Sequence, residues 1–450
     1  MRVLIATDHY PPFIGGAHRW AGLLSSGLAR LGHQVTVATP WSGGQARCLE
    51  TPEGVRVKRV RQLRTAVPTL VTHQRQQHSP PFPDPISIFD LRRVIKAADP
   101  EVVITHGWLA ASTVVALRGS DVPVIVSAHD YGTFCPTRRL LHNGGTCAGP
   151  APRKCLSCAA DYYGRPKGWT SVAGVRLSRW LLARRIVATQ SVTPFVDETL
   201  NRHFLRDAPT RQRTQRFVIP AFIDMSTEEA DSNSDISALV AQLPEEPFIL
   251  FVGAFRRDKG LDVLFEAYRQ LRDPPPLVLL GTRERDTPPF PPGAITLYDV
   301  PHAAVVMAWD RALIGVVPSL LPEPLGTVAV EGIAQGVPMI ATVPSGMGDV
   351  LDDDAGLLIP QGDAHALAEA MRTLLDDPDL RRELSRRGRR RAELFRGGRV
   401  LALYEEMLRE VIDRRGGEPA SSGLGPALER RLENGGRQPS GTPDLADHEG

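Results

Sequence analysis

Two α/β domains, each a doubly wound and mostly parallel sheet, are what this sequence predicts, and three observations carry the prediction. Short β-rich runs alternate with helical stretches along nearly the whole chain. The alternation is interrupted once, by a polar segment near the middle. At 450 residues the chain also exceeds what one hydrophobic core usually supports, so the two series read as two domains.

In the first series the β-rich runs are residues 1–7, 34–39, 102–105, 122–127, 185–191 and 216–219, separated by helical stretches such as 20–31 and 109–117. The polar segment 225–235 reads as part of a connector over 223–246. The second series has strands at 248–253, 277–281, 294–298, 312–317, 339–341 and 356–359. These divide the chain into an N-terminal domain (1–222), which contains a Cys-rich insertion (131–165), and a C-terminal domain (247–390). A helix over 391–415 is expected to cross back to the first domain. The stretch 416–450, rich in Gly, Pro, Ser and charge, is expected to be disordered.

Net charge is +2, and Lys and Arg are not clustered as a nucleic-acid binder requires, so no nucleic-acid partner is expected. No apolar run reaches the roughly 18–20 residues of a membrane span, and the chain runs into a strand at Val3 without a signal-peptide core. A soluble, cytoplasmic protein is the expectation.

The most informative stretch is Pro318-Ser-Leu-Leu-Pro-Glu-Pro-Leu-Gly-Thr-Val-Ala-Val-Glu331. An apolar strand precedes it, a Pro/Gly-rich loop follows, and 327–335 has helical spacing. A loop opening a helix gathers free N–H groups and the positive end of the helix dipole, which suits a diphosphate. Glu323 and Glu331 at its edges can accept hydrogen bonds from sugar hydroxyl groups. In the same domain a strand ends at Gly253, and a basic loop with Arg256, Arg257 and Lys259 leads into a helix. Basic groups there neutralise a departing phosphate. In the first domain Gly15 and Gly16 open the first helix, allowing close approach to a phosphate. His106 and His129 follow successive strands, at the carboxyl ends where open α/β sheets bind ligands.

Residues 248–271 and 316–338, with Gly356-Leu-Leu-Ile-Pro-Gln-Gly-Asp363 after them, resemble the donor half of the family 4 glycosyltransferases. These are retaining enzymes of the GT-B fold, two Rossmann-like domains facing across a cleft, and the resemblance covers most of residues 1–410. It implies that Glu323 lies against the donor sugar, Glu331 binds the ribose, and amides around Leu325, Gly326 and Thr327 hold sugar and phosphates. It further implies that Lys259 binds the diphosphate of a UDP- or GDP-linked hexose, that Gly16 approaches it from the other domain, and that His129 stands beside the reacting sugar. Transfer would retain anomeric configuration, with no covalent nucleophile and no catalytic metal. Ala254 stands where the family often has Arg, leaving Arg256 or Arg257 as the substitute. His18 stands where many relatives carry Glu, which marks the acceptor side as different.

Four of the five cysteines fall in Cys135-x11-Cys147-x7-Cys155-x2-Cys158. A polar Gly/Pro-rich loop cannot build a core, so a structural four-thiolate zinc is expected, with an iron–sulfur cluster as the alternative. The long stretch 65–90, with His73, Gln74, Gln76, Gln77 and His78, reads as an acceptor wall. The basic amphipathic stretch 175–185 fits either an ordinary surface helix or one resting on an anionic membrane. The acceptor stays open among a polysaccharide end, a lipid-linked sugar and a secondary metabolite. A dinucleotide-dependent oxidoreductase is disfavoured because Gly15-Gly16 lacks the G-x-G-x-x-G spacing. A non-catalytic sugar-nucleotide or glycan-binding protein is the remaining alternative.

Overall fold

The computed structural model describes residues 1–12, 15–66, 78–223, 234–352 and 354–414. The first sheet is built from β1 (Arg2–Thr7), β2 (Gln34–Pro40), β3 (Cys48–Glu50), β4 (Arg56–Val60), β5 (Val102–His106), β6 (Val124–Ala128), β9 (Ala188–Ser191) and β10 (Gln215–Val218). Their order is β10-β9-β6-β5-β1-β2-β4-β3, and only the edge strand β3 runs antiparallel to its neighbour. Sequence patterning misses β3 and β4: Cys48-Leu-Glu50 is exposed, and Arg56-Val-Lys-Arg-Val60 has too few apolar residues to stand out.

The second sheet contains β11 (Phe248–Val252), β12 (Leu277–Gly281), β13 (Ile295–Tyr298), β14 (Ala312–Val317), β15 (Met339–Val343) and β16 (Gly356–Pro360) in the order β13-β12-β11-β14-β15-β16, all parallel. Its strands read as continuous apolar runs because helices cover both faces. Along β11 the side chains alternate between two cores: Phe248 and Leu250 join Trp309, Val330 and Ile333, whereas Ile249 and Phe251 join Leu264, Leu367 and Met371.

Each sheet reverses its strand order around its first strand, β1 between β5 and β2, and β11 between β12 and β14. Ligands of open α/β sheets bind at such switch points, beyond the carboxyl ends of the strands. The loops after β1 and β5 therefore form one wall, and those after β11 and β14 the other.

The chain passes between domains twice. Ile223 on the first crossing pairs in parallel with Arg396 on the second. The helix Gly397–Asp413 then lies against the first domain: Trp20 Nε1 donates to Tyr404 Oη at 3.0 Å, His33 Nε2 meets Glu405 Oε1 at 2.9 Å, and Gln215 Nε2 donates to Glu410 Oε1 at 2.8 Å. Of the expected connector, 224–233 lie outside the described residues. The helix Ser234–Val240 packs Ile236 on Ala303 and Ala304 of the second domain. The expected tail 416–450 and residues His73, Gln74, Gln76 and Gln77 also lie outside the described residues. The long loop expected over 65–90 ends earlier than its sequence suggests, because Asp84 caps a helix Pro85–Ala98 by accepting from the amides of Ile86 and Ser87.

Candidate active site

The donor wall is assembled from two loops of the second domain. After β11 the chain makes a short 3-10 turn, Arg257–Lys259, and enters the helix Leu261–Arg269; after β14 it runs through the proline-rich loop into the helix Thr327–Gln335. The amide of Leu320 donates to Asp258 O at 3.0 Å, tying the loops together. Lys259 Nζ donates to Glu323 Oε1 at 2.5 Å, and Ser319 Oγ donates to the same oxygen at 2.6 Å. Glu323 is thus a nearly buried carboxylate whose Oε1 is held by two donors. Two backbone carbonyls flanking it are held by the first domain, since Tyr131 Oη donates to Pro322 O and Thr193 Oγ1 to Pro324 O, both at 2.8 Å.

Gly326 begins the helix in the left-handed region at φ 69°, and a Cβ there would fall 1.8 Å from Met347 Cε, so only glycine fits. No side chain caps this helix, and its first-turn amides face the cleft opening as an anion site. Gly16 stands opposite: a Cβ on it would lie 3.4 Å from Thr327 Oγ1, so the start of the helix Gly16–Arg30 closes on the same point. Glu331, one turn further along, is buried and accepts from Arg19 Nη1 and His302 Nε2, each at 3.0 Å. Gly16, Arg19, Thr327 and Glu331 line one narrow cavity with Phe222 and Ile223.

The two arginines left open by the sequence separate clearly. Arg256 turns inward and grips buried Asp258 with two bonds of 2.9 and 3.1 Å, whereas Arg257 pairs with Asp262 at the surface. Arg256 is therefore the arginine turned into the loop, and Arg257 the one turned to the surface.

The first-domain wall is made of imidazoles. His9 and His18 rings are 4.5 Å apart, His9 and His106 5.3 Å, and His106 and His129 5.2 Å. Burial holds all four below the usual histidine range. Neighbouring imidazoles and Arg138 add to this for His9, and burial with His106 and Arg138 takes His18 down to about 4. Neutral rings have definite tautomers. Arg138 can only donate, so His9 Nε2 accepts from it at 3.1 Å. The proton of His9 is then on Nδ1, donated to His18 Nε2 at 3.2 Å. His129 Nε2 lies 3.1 Å from Ser127 Oγ, whose hydroxyl donates to Gln190 Oε1, so His129 carries its proton on Nε2 and keeps a lone pair on Nδ1. His106 is fully buried and bonded to Thr7, so it backs this wall rather than facing a substrate.

Sequence reasoning missed Arg138, Arg139, His9, Asp130, Arg19, Ser319 and His302. Arg138 adopts φ 64° and pairs with Asp130, the neighbour of His129. Asp130 would be raised by burial but is drawn down to about 2 by the Arg138 guanidinium. Arg139 crosses the cleft to Asp258 at 3.0 Å. The Asp after His129 was the available signal for a buried cation nearby.

The cysteine segment is ordered without a disulfide. Among the described residues no group of three or more His, Cys, Asp or Glu side chains stands in position to hold a metal ion, and all four cysteines are free thiols. Cys135 Sγ turns to Thr137 Oγ1 at 3.4 Å, Cys147 Sγ to Gly149 O at 3.5 Å and Cys158 Sγ to Leu141 O at 3.7 Å. Burial, with Cys135 and Cys147 nearby, raises the Cys155 and Cys158 thiols. The segment orders itself by ordinary means: a hairpin of β7 (Leu141–His142) and β8 (Gly145–Thr146), the helix Pro152–Tyr163, and a core contribution from Tyr131, Phe134 and Leu140.

Residues 15–213 match the glycosyl transferase 4-like domain, and residues 246–377 match glycosyl transferases group 1. The chain belongs to the GT-B glycosyltransferases of the family 4 type. It is 27% identical over 464 residues to the D-inositol 3-phosphate glycosyltransferase of Kineococcus radiotolerans, covering 93% of this chain and 97% of that one. Its fold is that of sucrose-phosphate synthase from Thermosynechococcus elongatus (TM-score 0.70, 19% identity, 92% of this chain and 100% of that one). It is also that of Anabaena HepE solved with UDP-glucose (TM-score 0.62, 15% identity, 91% and 99%). As a glycosyltransferase of this type, the chain acts on a sugar donor. The match to group 1 spans both donor-wall loops.

Proposed function

We propose that this glycosyltransferase moves a hexose-type sugar from a nucleoside-diphosphate sugar, UDP- or GDP-linked, to a polyhydroxyl acceptor with retention of anomeric configuration. The observation that carries this reading is Glu323, held by Lys259 and Ser319 beside an uncapped helix N-terminus, with Glu331 one helical face further on. The diphosphate sits against the Gly326–Thr327 amides and Lys259. Glu331 accepts from the ribose hydroxyls once Arg19 withdraws, and Glu323 accepts from the sugar. The UDP-glucose bound by the Anabaena relative supports a UDP-linked donor.

Bond breaking places negative charge on the departing phosphate, and Lys259, Arg256 and the helix N-terminus are already in place to meet it. The acceptor hydroxyl attacks on the face the diphosphate leaves, and its proton passes to the departing phosphate oxygen. The Nδ1 lone pair of His129 orients that hydroxyl. The acceptor of the Kineococcus relative is a phosphorylated polyol by name, which fits a polyhydroxyl acceptor here.

Thermal shift and slow hydrolysis with UDP- and GDP-sugars test the reading. Stabilisation and turnover by one of them are expected, with the sugar released in its original anomeric form by NMR and the rate unchanged by EDTA. Inversion would overturn retention. Stabilisation without turnover would leave a binding protein, and stabilisation by NAD(P)H alone would overturn the reading entirely.

A further inference from the structure

The longest helix of the first domain, Arg165–Arg185, has no Asp or Glu in its 21 residues and six Arg or Lys. Its inner face is ordinary. Val172, Val175, Ser178 and Leu182 are buried, and Ser178 Oγ donates to Pro81 O at 2.6 Å. Its outer face is not. Trp169, Leu177 and Trp180 are 53%, 47% and 50% exposed, and their spacing of eight and three residues sets them on one stripe, about 17 Å long at 1.5 Å per residue. Arg176 and Arg184 lie along the same stripe, the latter with its guanidinium 4.0 Å from the Trp180 ring centroid. The adjoining helix Pro152–Tyr163 also exposes Leu156 and Arg153. Burial and the neighbouring Arg206 and Arg176 lower the Arg179 guanidinium, a sign that positive charge is concentrated here, with Asp207 as a nearby acid and Asp161 on the adjoining helix.

We propose that this helix pair is a docking surface for an anionic lipid bilayer, with the two indoles and Leu177 seated at the headgroup boundary and the flanking arginines on lipid phosphates. Indole is the side chain that combines a large apolar ring with a polar N–H, and it concentrates at bilayer interfaces. An acid-free basic helix with exposed Trp is the pattern of an in-plane membrane anchor, held jointly by apolar insertion and by attraction to anionic lipid. A second basic helix on this molecule supplies the contrast. Pro378–Ala392 carries seven arginines beside a groove at the back of the donor domain, yet Arg382 and Arg386 are paired with Asp379 and Glu383, and among the described residues it exposes no large apolar side chain. Charge alone is present there; charge with anchors is present on Arg165–Arg185.

The docked face connects to the cleft. Tyr163 Oη donates to Pro136 O at 3.3 Å, and the Arg139 guanidinium stacks 3.9 Å from the Tyr162 ring centroid while its Nη1 pairs with Asp258. Docking therefore holds the acceptor wall beside the bilayer. The proposal stands independently of the donor.

Co-sedimentation with phosphatidylcholine vesicles, with and without phosphatidylglycerol, tests it. The full-length protein is expected to sediment with the anionic vesicles only, less so at high salt. Trp169→Ala/Trp180→Ala and Arg176→Glu/Arg184→Glu should each weaken partitioning by at least roughly tenfold, and Arg382→Glu/Arg386→Glu by no more than about twofold. Retained circular dichroism and donor-induced thermal shift certify that the variants fold. Failure of the wild type to bind anionic vesicles, binding that survives both helix variants, or equal loss in the Arg382/Arg386 variant would each overturn the proposal. So would a concentration-dependent dimer abolished by the Trp variants, because the face would then belong to a second copy.

Discussion

The two walls of the cleft solve different electrostatic problems. The donor wall is built of fixed ion pairs, Lys259 on Glu323 and Arg256 on Asp258, and Arg19 reaches Glu331 from the first domain. The acceptor wall gathers imidazoles, of which burial keeps His9, His18, His106 and His129 uncharged, and its buried Arg138 is paired with Asp130. A leaving diphosphate demands fixed positive charge, since dipoles and cations already in place need no reorganisation during reaction. An incoming hydroxyl group demands lone pairs and N–H groups in known orientation, and neutral histidines with locked tautomers supply those.

The contrast breaks most visibly at Lys259. Lys259→Ala should lower kcat by roughly 10²–10³ with little change in acceptor KM, whereas Arg257→Ala, at the surface, should stay within about twofold; initial rates at varied donor and acceptor separate the two. Next in size is Asp130→Asn, which leaves the buried Arg138 guanidinium unpaired and should destabilise the fold by roughly 3 kcal/mol in denaturant titration. A small change in kcat beside that loss of stability would confirm that charge on this wall is structural. Glu331→Gln should raise the donor KM by about tenfold, with a smaller effect on kcat, because a charge-assisted bond to the ribose is lost in ground and transition states alike.

The smallest effect is on pH dependence. Histidines whose folded-state values are lowered bind fewer protons folded than unfolded below the ordinary value of 6.5. Stability is therefore complete above about pH 6.5 and declines as pH falls, with the His18 share spent by about pH 4, where the folded ring itself takes a proton. Melting temperature followed from pH 7.5 to 4.5 should fall steadily, and His18→Asn should flatten part of that slope. A melting temperature that rises on acidification would mean these rings are charged in the folded chain.

The donor wall was legible in the sequence because its parts are local. Glu323, Gly326, Thr327 and Glu331 lie on one loop and one helix, Lys259 follows its strand directly, and the helix Thr327–Gln335 begins and ends where its apolar spacing says. The acceptor wall was legible only in outline. His129 and His18 can be picked out by position, but Arg138 meets His9 across 129 residues of chain and Arg139 meets Asp258 across 119, and no periodicity marks such contacts. The cysteine segment misled for a related reason: composition suggested a loop without a core, while Tyr131, Phe134 and Leu140 borrow the core of the domain beneath. Exposure of Trp169 and Trp180 was likewise beyond the sequence, because amphipathic spacing alone does not tell which aromatic residues face inward.

The pairing of Ile223 with Arg396 sets the mechanics of the enzyme. Two chain crossings bonded side by side give the domains a shared connection at one place, the kind of short connection about which domains hinge. The cavity holding Arg19 and Glu331 is lined by Phe222 and Ile223, against that connection, where the arc of motion is shortest. The nucleoside end of a donor would therefore stay engaged while the sugar end opens wide, and a spent nucleotide would have to leave by tipping outward from the pivot.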